Sequence, residues 1–299
     1  MKPFLLVAGD FVETGGMDVA NYHLAASLAD SGREVHLVSH RVQQDLLERS
    51  NIQFHRVAKP ANSYFLGEYL LAAEGRKWAA RISRRGGRVI VNGGNCDWGD
   101  VNWVHYVHAA YKPQVATGRI KSWRAGYAYS QYRLRERNII SKARLVIANS
   151  ERTKRDVMVH LGVPEERVAT VYYGLNSEKF QPCEESRREQ ARKELNLPAA
   201  VPLVLFVGAL GDRRKGFHTL FDAWKQLCQD PRWDALLLVV GSGGELDVWR
   251  RRAAECGLGD RIRFLGFRSD VHAIMSVCDA LVAPAVYEAY GLGAQEALV

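Results

Sequence analysis

The stretch Pro284-Ala285-Val286-Tyr287-Glu288-Ala289-Tyr290-Gly291-Leu292-Gly293-Ala294-Gln295-Glu296 decides how this chain is read. The short apolar run Ala280-Leu281-Val282-Ala283 before it has the character of a buried parallel strand. From Gln295 to Val299 the pattern is that of a starting helix. Glu288 then falls in the loop at a strand's carboxyl end. Gly291 and Leu292 sit at the helix mouth, and Glu296 about one turn inside. A helix mouth offers unpaired backbone N–H groups and a positive dipole end, which suit a phosphate. A carboxylate on each side could accept hydrogen bonds from hydroxyls. A diphosphate with a polyhydroxyl group at either end is a nucleotide-sugar. Two glutamates eight apart are, by themselves, better read as a solvated helix face. The strand, Pro284 and the Glu-Ala-Tyr-Gly-Leu spelling carry the reading.

Upstream, Leu203 to Val207 reads as a strand leading into Gly208-Ala209-Leu210-Gly211-Asp212-Arg213-Arg214-Lys215-Gly216. A glycine-bearing loop with three adjacent cations suits a diphosphate clamp. A departing nucleoside diphosphate gains negative charge as the glycosidic bond breaks, so fixed cations favour the transition state over the ground state. Three exposed surface cations are the plainer alternative. The loop leads into a helix expected over Thr219 to Leu227. Leu236 to Val240 followed by Gly241-Ser242-Gly243-Gly244 is a further strand and glycine loop, and Ile262 to Gly266 a short strand with its turn.

The Glu-x7-Glu frame, with Lys215-Gly216 and these glycine loops, resembles the retaining glycosyltransferases of GT-B architecture, family 4 (glycosyl transferases group 1). The likeness extends over nearly the whole chain and is strongest at 203–216 and 280–299. It implies an α/β fold of two Rossmann-like domains facing a cleft. Residues 1–174 form the acceptor-side domain, 175–200 a linker with a short helix, and 201–299 the nucleotide-sugar domain. By resemblance Glu288 contacts the donor sugar, Glu296 the ribose, Gly291 and Leu292 the phosphate through their N–H groups, and Gly241 lies near the base. The family usually carries Arg directly after the first glycine, where this chain has Ala209; Arg213 is the expected substitute, beside Lys215. Only four strands are expected from Leu203 onward, whereas a doubly wound half typically needs about six. Family members continue past this point, so the expectation is a C-terminally truncated chain with an incomplete second domain and exposed apolar surface.

The amino-terminal part reads strand (Phe4 to Ala8), glycine pair (Gly15-Gly16), helix (Ala20 to Ala29), strand (Val35 to Val38). No G-x-G-x-x-G is present, which disfavours a dinucleotide site. Gly16 serves either as part of a tight turn or as a place where backbone approaches a ligand; the resemblance points it at the donor phosphates. A strand expected over Val101 to Val107 puts Val104, Tyr106 and His108 on one face by alternation. His108 then lies at a strand end, where α/β folds place ligands. The family's histidine near the transferred sugar is similar, and a structural histidine is the competing reading. Residues 64–88 form a basic helical stretch. Residues 111–137 interleave Lys112, Arg119, Lys121, Arg124, Arg133, Arg135 and Arg137 with Tyr111, Trp123, Tyr127, Tyr129 and Tyr132. That mixture suits a membrane interface or a lipid-linked diphosphate, single-stranded nucleic acid, or a solvated helix with a Tyr-rich buried face.

The net charge of +8 is uneven: residues 1–174 hold 25 Lys+Arg against 16 Asp+Glu, and 175–299 hold 16 against 17. The basic part is expected to face something anionic, with peripheral membrane contact ahead of nucleic acid. Five scattered cysteines without Cys-x-x-Cys fit a reducing compartment and no structural metal. No apolar run approaches transmembrane length, and the amino terminus lacks a signal-peptide pattern, so a cytoplasmic protein is expected, at the inner membrane face if it meets lipid.

The absence of Asp-x-Asp disfavours the metal-dependent GT-A type, and no residue stands out as a covalent nucleophile. The expected activity is metal-independent, retaining hexosyl transfer from a nucleoside-diphosphate sugar to a glycan or lipid-linked acceptor, in cell-envelope or exopolysaccharide synthesis. No cofactor beyond the donor is expected. A GT-B nucleotide-sugar epimerase and a non-catalytic nucleotide-sugar-binding fragment are the alternatives.

Overall fold

A computed structural model describes residues 2–112, 119–211 and 213–299, with side chains described from Gly126 onward in the helix Arg119–Ile140. Arg119, Lys121, Trp123 and Arg124 of the basic-aromatic stretch, and Asp212 of the cation loop, therefore lie outside the described side chains. The chain forms two compact α/β units, the first ending at Tyr173 and the second beginning at Gly174.

The first unit is built on a seven-stranded, wholly parallel sheet. Its order is Ile52–Arg56, Val35–Ser39, Phe4–Val7, Arg88–Asn92, Val101–Val104, Leu145–Ala148, Val168–Thr170. Its central strands are near-continuous apolar runs because both faces are covered. On one face the helix Gly16–Asp30 packs Tyr22, Ala25, Ala26 and Ala29 against Leu6, Leu37 and Phe11. On the other, the helix Tyr64–Arg84 packs Leu71, Ala79 and Ile82 against Leu5, Val7, Val89 and Val91. Strand order reverses at Phe4–Val7, so its carboxyl end is a topological switch point, where such sheets bind ligands.

One local expectation changes. The strand expected over Val101 to Val107 stops at Val104. Beyond it the chain leaves the sheet and enters a single 3₁₀ turn, His108–Ala110. Tyr106 and His108 therefore do not share a strand face with Val104. The short helix expected within 175–200 is Glu185–Glu194, in the second unit. Its Arg192 is buried and donates to Asp279 (2.9 Å) and to the Val277 carbonyl (3.1 Å). Asp279 also accepts from the backbone N–H of Leu203 at 2.7 Å, which ties this helix to the first strand of the sheet.

The second unit holds a four-stranded parallel sheet, ordered Ile262–Gly266, Leu236–Val240, Leu203–Val207, Ala280–Leu281. An aromatic core of Phe206, Phe217, Phe221, Trp224 and Trp249 fills one face. Leu203, Leu205, Leu238, Ile274 and Val277 fill the other. The helix after the cation loop starts at Phe217, two residues before the expected start, because Phe217 is itself a core residue. The order reverses between Leu203–Val207 and Ala280–Leu281. The loops that follow these two strands, 208–216 and 282–291, hence meet at the switch point of this unit.

Candidate active site

In the second unit, backbone contacts set the geometry before any side chain is considered. Val286 N–H donates to the Arg214 carbonyl at 2.9 Å, which knits the cation loop to the Pro284–Glu296 stretch. Gly216 has φ 73°, and a Cβ there would sit 1.9 Å from the Pro284 carbonyl oxygen. Only glycine allows this approach without moving one loop. Gly241 permits an equally close approach at the neighbouring strand: an added Cβ would lie 1.9 Å from the Gly208 carbonyl oxygen. Gly208 N–H donates to Val240 O at 2.9 Å and Leu210 N–H to Ser242 O at 2.9 Å, so ladder-like pairing continues into the glycine loops.

On this frame the loop ends in a 3₁₀ turn, Arg213–Lys215. With three residues per turn, successive side chains leave about 120° apart. Lys215 Nζ meets Glu288 Oε2 at 2.6 Å, and Arg214 Nη1 lies 3.8 Å from Glu288 Oε1. All three side chains are between a quarter and a third exposed. Arg213 is exposed and lines a shallow dent with Ala209, Leu210, Phe217, His218 and Trp249. The second cation gathered at Glu288 is thus Arg214, which the sequence pattern did not single out.

Gly291, left-handed at φ 82°, is the N-cap of a short helix, Leu292–Glu296. That helix starts three residues earlier than the pattern indicated, because the glycine turns the chain into it. Glu296 is its last residue, one turn inside. Burial pushes its carboxyl up to about 7, opposed only in part by Lys179. Five residues give a weak macrodipole, so any anion here depends on the cations and on the free first-turn N–H groups.

In the first unit, Gly16 is exposed and is the first residue of the helix Gly16–Asp30. Asp18, in that helix's first turn, is pushed up to about 6 by burial and by the neighbouring charge of Asp10. Asp10 itself is buried; burial raises it, but hydrogen bonds from Arg41 and Tyr64 outweigh that and leave it below the usual carboxylate range.

His108 is held on every side. Its backbone N–H donates to Glu136 Oε2 at 2.9 Å, and its Nδ1 lies 2.5 Å from Glu136 Oε1. Its Nε2 lies 2.7 Å from the Tyr106 hydroxyl. Tyr129 Oη donates to the His108 carbonyl at 2.8 Å, and the Tyr132 ring stacks on the imidazole with centroids 5.0 Å apart. No motif in the chain marks Glu136, although it is the only acidic residue between 111 and 137. Three residues away in sequence, His105 has a different environment. It is buried with Asn92 and Tyr173, and burial drives it down to about 3, so it is a neutral structural imidazole. Among the described residues no three His, Cys, Asp or Glu side chains gather as a metal site.

Comparisons with known proteins identify the family and the fold. A family model described as Glycosyltransferase Family 4 matches residues 14–179, and one described as Glycosyl transferases group 1 matches residues 187–299. The chain belongs to glycosyltransferase family 4. A D-inositol 3-phosphate glycosyltransferase of Corynebacterium glutamicum is 31% identical over 172 residues, 55% of this chain and 41% of that protein. The chain thus spans well under half of such relatives. An uncharacterized glycosyltransferase of Methanocaldococcus jannaschii is 25% identical over 297 residues, 95% of this chain and 74% of that protein. Among solved structures, WaaG, a glycosyltransferase involved in lipopolysaccharide biosynthesis, superposes with a TM-score of 0.76 at 20% identity, covering 99% of this chain and 78% of WaaG. Anabaena HepE, solved with UDP and glucose, gives 0.64 at 20% identity, covering 100% and 78%. The fold is the α/β, parallel-sheet fold of GT-B glycosyltransferases.

Proposed function

We propose that this chain carries out retaining transfer of a hexose from a nucleoside-diphosphate sugar to a glycan or lipid-linked acceptor, in cell-envelope or exopolysaccharide synthesis, without a metal. The observation that carries the reading is the convergence of Lys215, Arg214 and Glu288 on two loops stapled together at a sheet's switch point. Family membership and a structural neighbour solved with UDP and glucose support it. In this reading Lys215 and Arg214, with Arg213 at the rim, balance the diphosphate. The N–H groups of Gly291 and Leu292 bind its oxygens, and Gly241 lets the base lie close to backbone. Glu296 accepts from the ribose and Glu288 from the sugar. In the first unit, Gly16 and His108 are the residues proposed to contact substrate.

Among the described residues none stands out as a covalent nucleophile for the sugar, so the reading uses same-face attack. The bond from C1 to the phosphate oxygen breaks and that oxygen leaves with the electron pair. The acceptor oxygen bonds to C1 on the same face, and its proton passes to the departing phosphate oxygen. Lys215 and Arg214 stabilise the charge as it grows.

The first unit presents Tyr69, Leu70, Tyr127 and Leu134 exposed, with exposed Arg133 among them. We assign this surface to peripheral contact with an anionic membrane, where aromatic, leucine and basic side chains act together. Among the described residues no helix is long and apolar enough to cross one.

The test is Glu288→Ala assayed against UDP-, GDP- and ADP-hexoses, with thermal shift reporting donor binding. The expected outcome is loss of transfer with the fold and nucleotide binding retained. Near-normal transfer would remove Glu288 from the site. Binding without turnover in the wild type would favour a binding module, and sugar isomerisation without acceptor an epimerase.

A further inference from the structure

The clamp on His108 contains more than a contact. Glu136 is 4% exposed and projects from the helix Arg119–Ile140, which is otherwise basic. Among the described residues neither Lys nor Arg pairs with it, and both its carboxylate oxygens face His108. The adjacent Arg135 turns away, to Glu68 at 2.8 Å and over the Tyr69 ring. A buried carboxylate without a cation is expensive unless its hydrogen bonds are complete. Among the described residues His108 alone supplies them.

Hydrogen-bond arithmetic then fixes the imidazole. A carboxylate only accepts, and a backbone N–H only donates. Oε2 is committed to the His108 N–H, so the ring nitrogen facing Oε1 must carry a hydrogen. In the neutral ring Nε2 is then the acceptor, and the Tyr106 hydroxyl, 2.7 Å away, donates into it. We propose that Glu136 is a positioning residue for the transfer, locking His108 in the Nδ1–H tautomer so that Nε2 presents a lone pair to a substrate hydroxyl. Tyr106 O–H holds that place in this structure, and a sugar hydroxyl has the same chemistry. Tyr129 and Tyr132 keep the backbone and ring plane from following any change of partner. The inference rests on His108 serving the sugar, as proposed above.

Glu136→Gln separates tautomer from packing. The amide keeps the shape but has one accepting oxygen and one donating nitrogen. The His108 backbone N–H cannot change its role, so it retains the oxygen. The amide NH₂ then faces Nδ1 and drives the ring hydrogen to Nε2. The experiment records ¹⁵N spectra of His108 in mildly alkaline buffer, alongside nucleoside-diphosphate release from UDP-glucose, GDP-mannose or ADP-glucose, whichever the wild type turns over. The expected wild-type spectrum has Nδ1–H and an unprotonated Nε2, and the variant reverses them. The variant's kcat is expected to fall about ten- to a hundredfold, the range seen for carboxylates that orient metal-bound histidines, with donor KM and Tm nearly unchanged. A wild-type Nε2–H tautomer, or an unchanged tautomer in the variant, overturns the inference and leaves the proposed activity standing; the wild-type spectrum decides this even if the variant folds poorly. A reversed tautomer with unchanged kcat takes His108 out of the reaction, and with it both the inference and that residue's proposed role.

Discussion

Glu136 and Glu288 are two carboxylates with opposite designs. Glu136 is 4% exposed, bonded twice to one histidine and paired with no cation among the described residues. Glu288 is about a third exposed, bonded to Lys215 at 2.6 Å, with Arg214 at 3.8 Å. The first is closed: removing either partner strands a buried polar group, so its geometry is set before any ligand arrives. The second is open to exchange. Ion pairs this open to solvent are held only modestly, so a diphosphate can take the two cations and leave Glu288 for a sugar hydroxyl. One unit carries a fixed orientation; the other carries charges in temporary storage.

The sharpest break of that contrast is Lys215→Met. If Lys215 balances the leaving diphosphate, transfer should fall about a hundredfold or more, and calorimetry should show weaker nucleoside-diphosphate binding. A loss confined to Tm would make the lysine only a partner of Glu288. Next in size is Gly216→Ala. At φ 73° and with its new Cβ 1.9 Å from Pro284 O, the residue must push the two loops apart. The expected loss is about 1–3 kcal/mol in denaturant unfolding, and an unchanged midpoint would mean that the loops are not stapled there.

Glu288→Gln should bind UDP, GDP, ADP or inorganic pyrophosphate about two- to fivefold more tightly than wild type, because it frees the cations at the cost of a weak pair. Equal or weaker binding would mean that the pair does not compete with the diphosphate. The smallest effect concerns Glu296. Burial raises its folded value to about 7 from the ordinary 4.5. Between these values the folded chain keeps a proton that the unfolded chain has lost, so stability falls as pH rises through that window. Glu296→Gln should therefore raise Tm above pH 7 and leave it almost unchanged near pH 4; a uniform shift at all pH values would contradict the assignment.

Much of this was legible in the chain. Val35 to Val38, just after Gly32, and Leu236 to Val240, just before Gly241, are largely apolar runs of strand length, and both are interior parallel strands. That Lys215 and Gly291 lie beside Glu288 was legible because short loops at adjacent strand ends must meet. Other regions were not. Alternation beyond Val104 fails because the chain leaves the sheet there. Choosing between Arg213 and Arg214 needed the 3₁₀ turn that separates their directions. Glu136 lies 28 residues from His108, and only the packing of its helix brings them together; the one signal was a lone acid in a basic stretch.

The most direct test is a crystal structure of the protein with whichever of UDP, GDP and ADP it binds. This account predicts a phosphate oxygen about 3 Å from Lys215 Nζ, with Glu288 released from the lysine and turned to the side where the sugar would lie. A diphosphate bound elsewhere, with the Lys215–Glu288 pair intact, would contradict it.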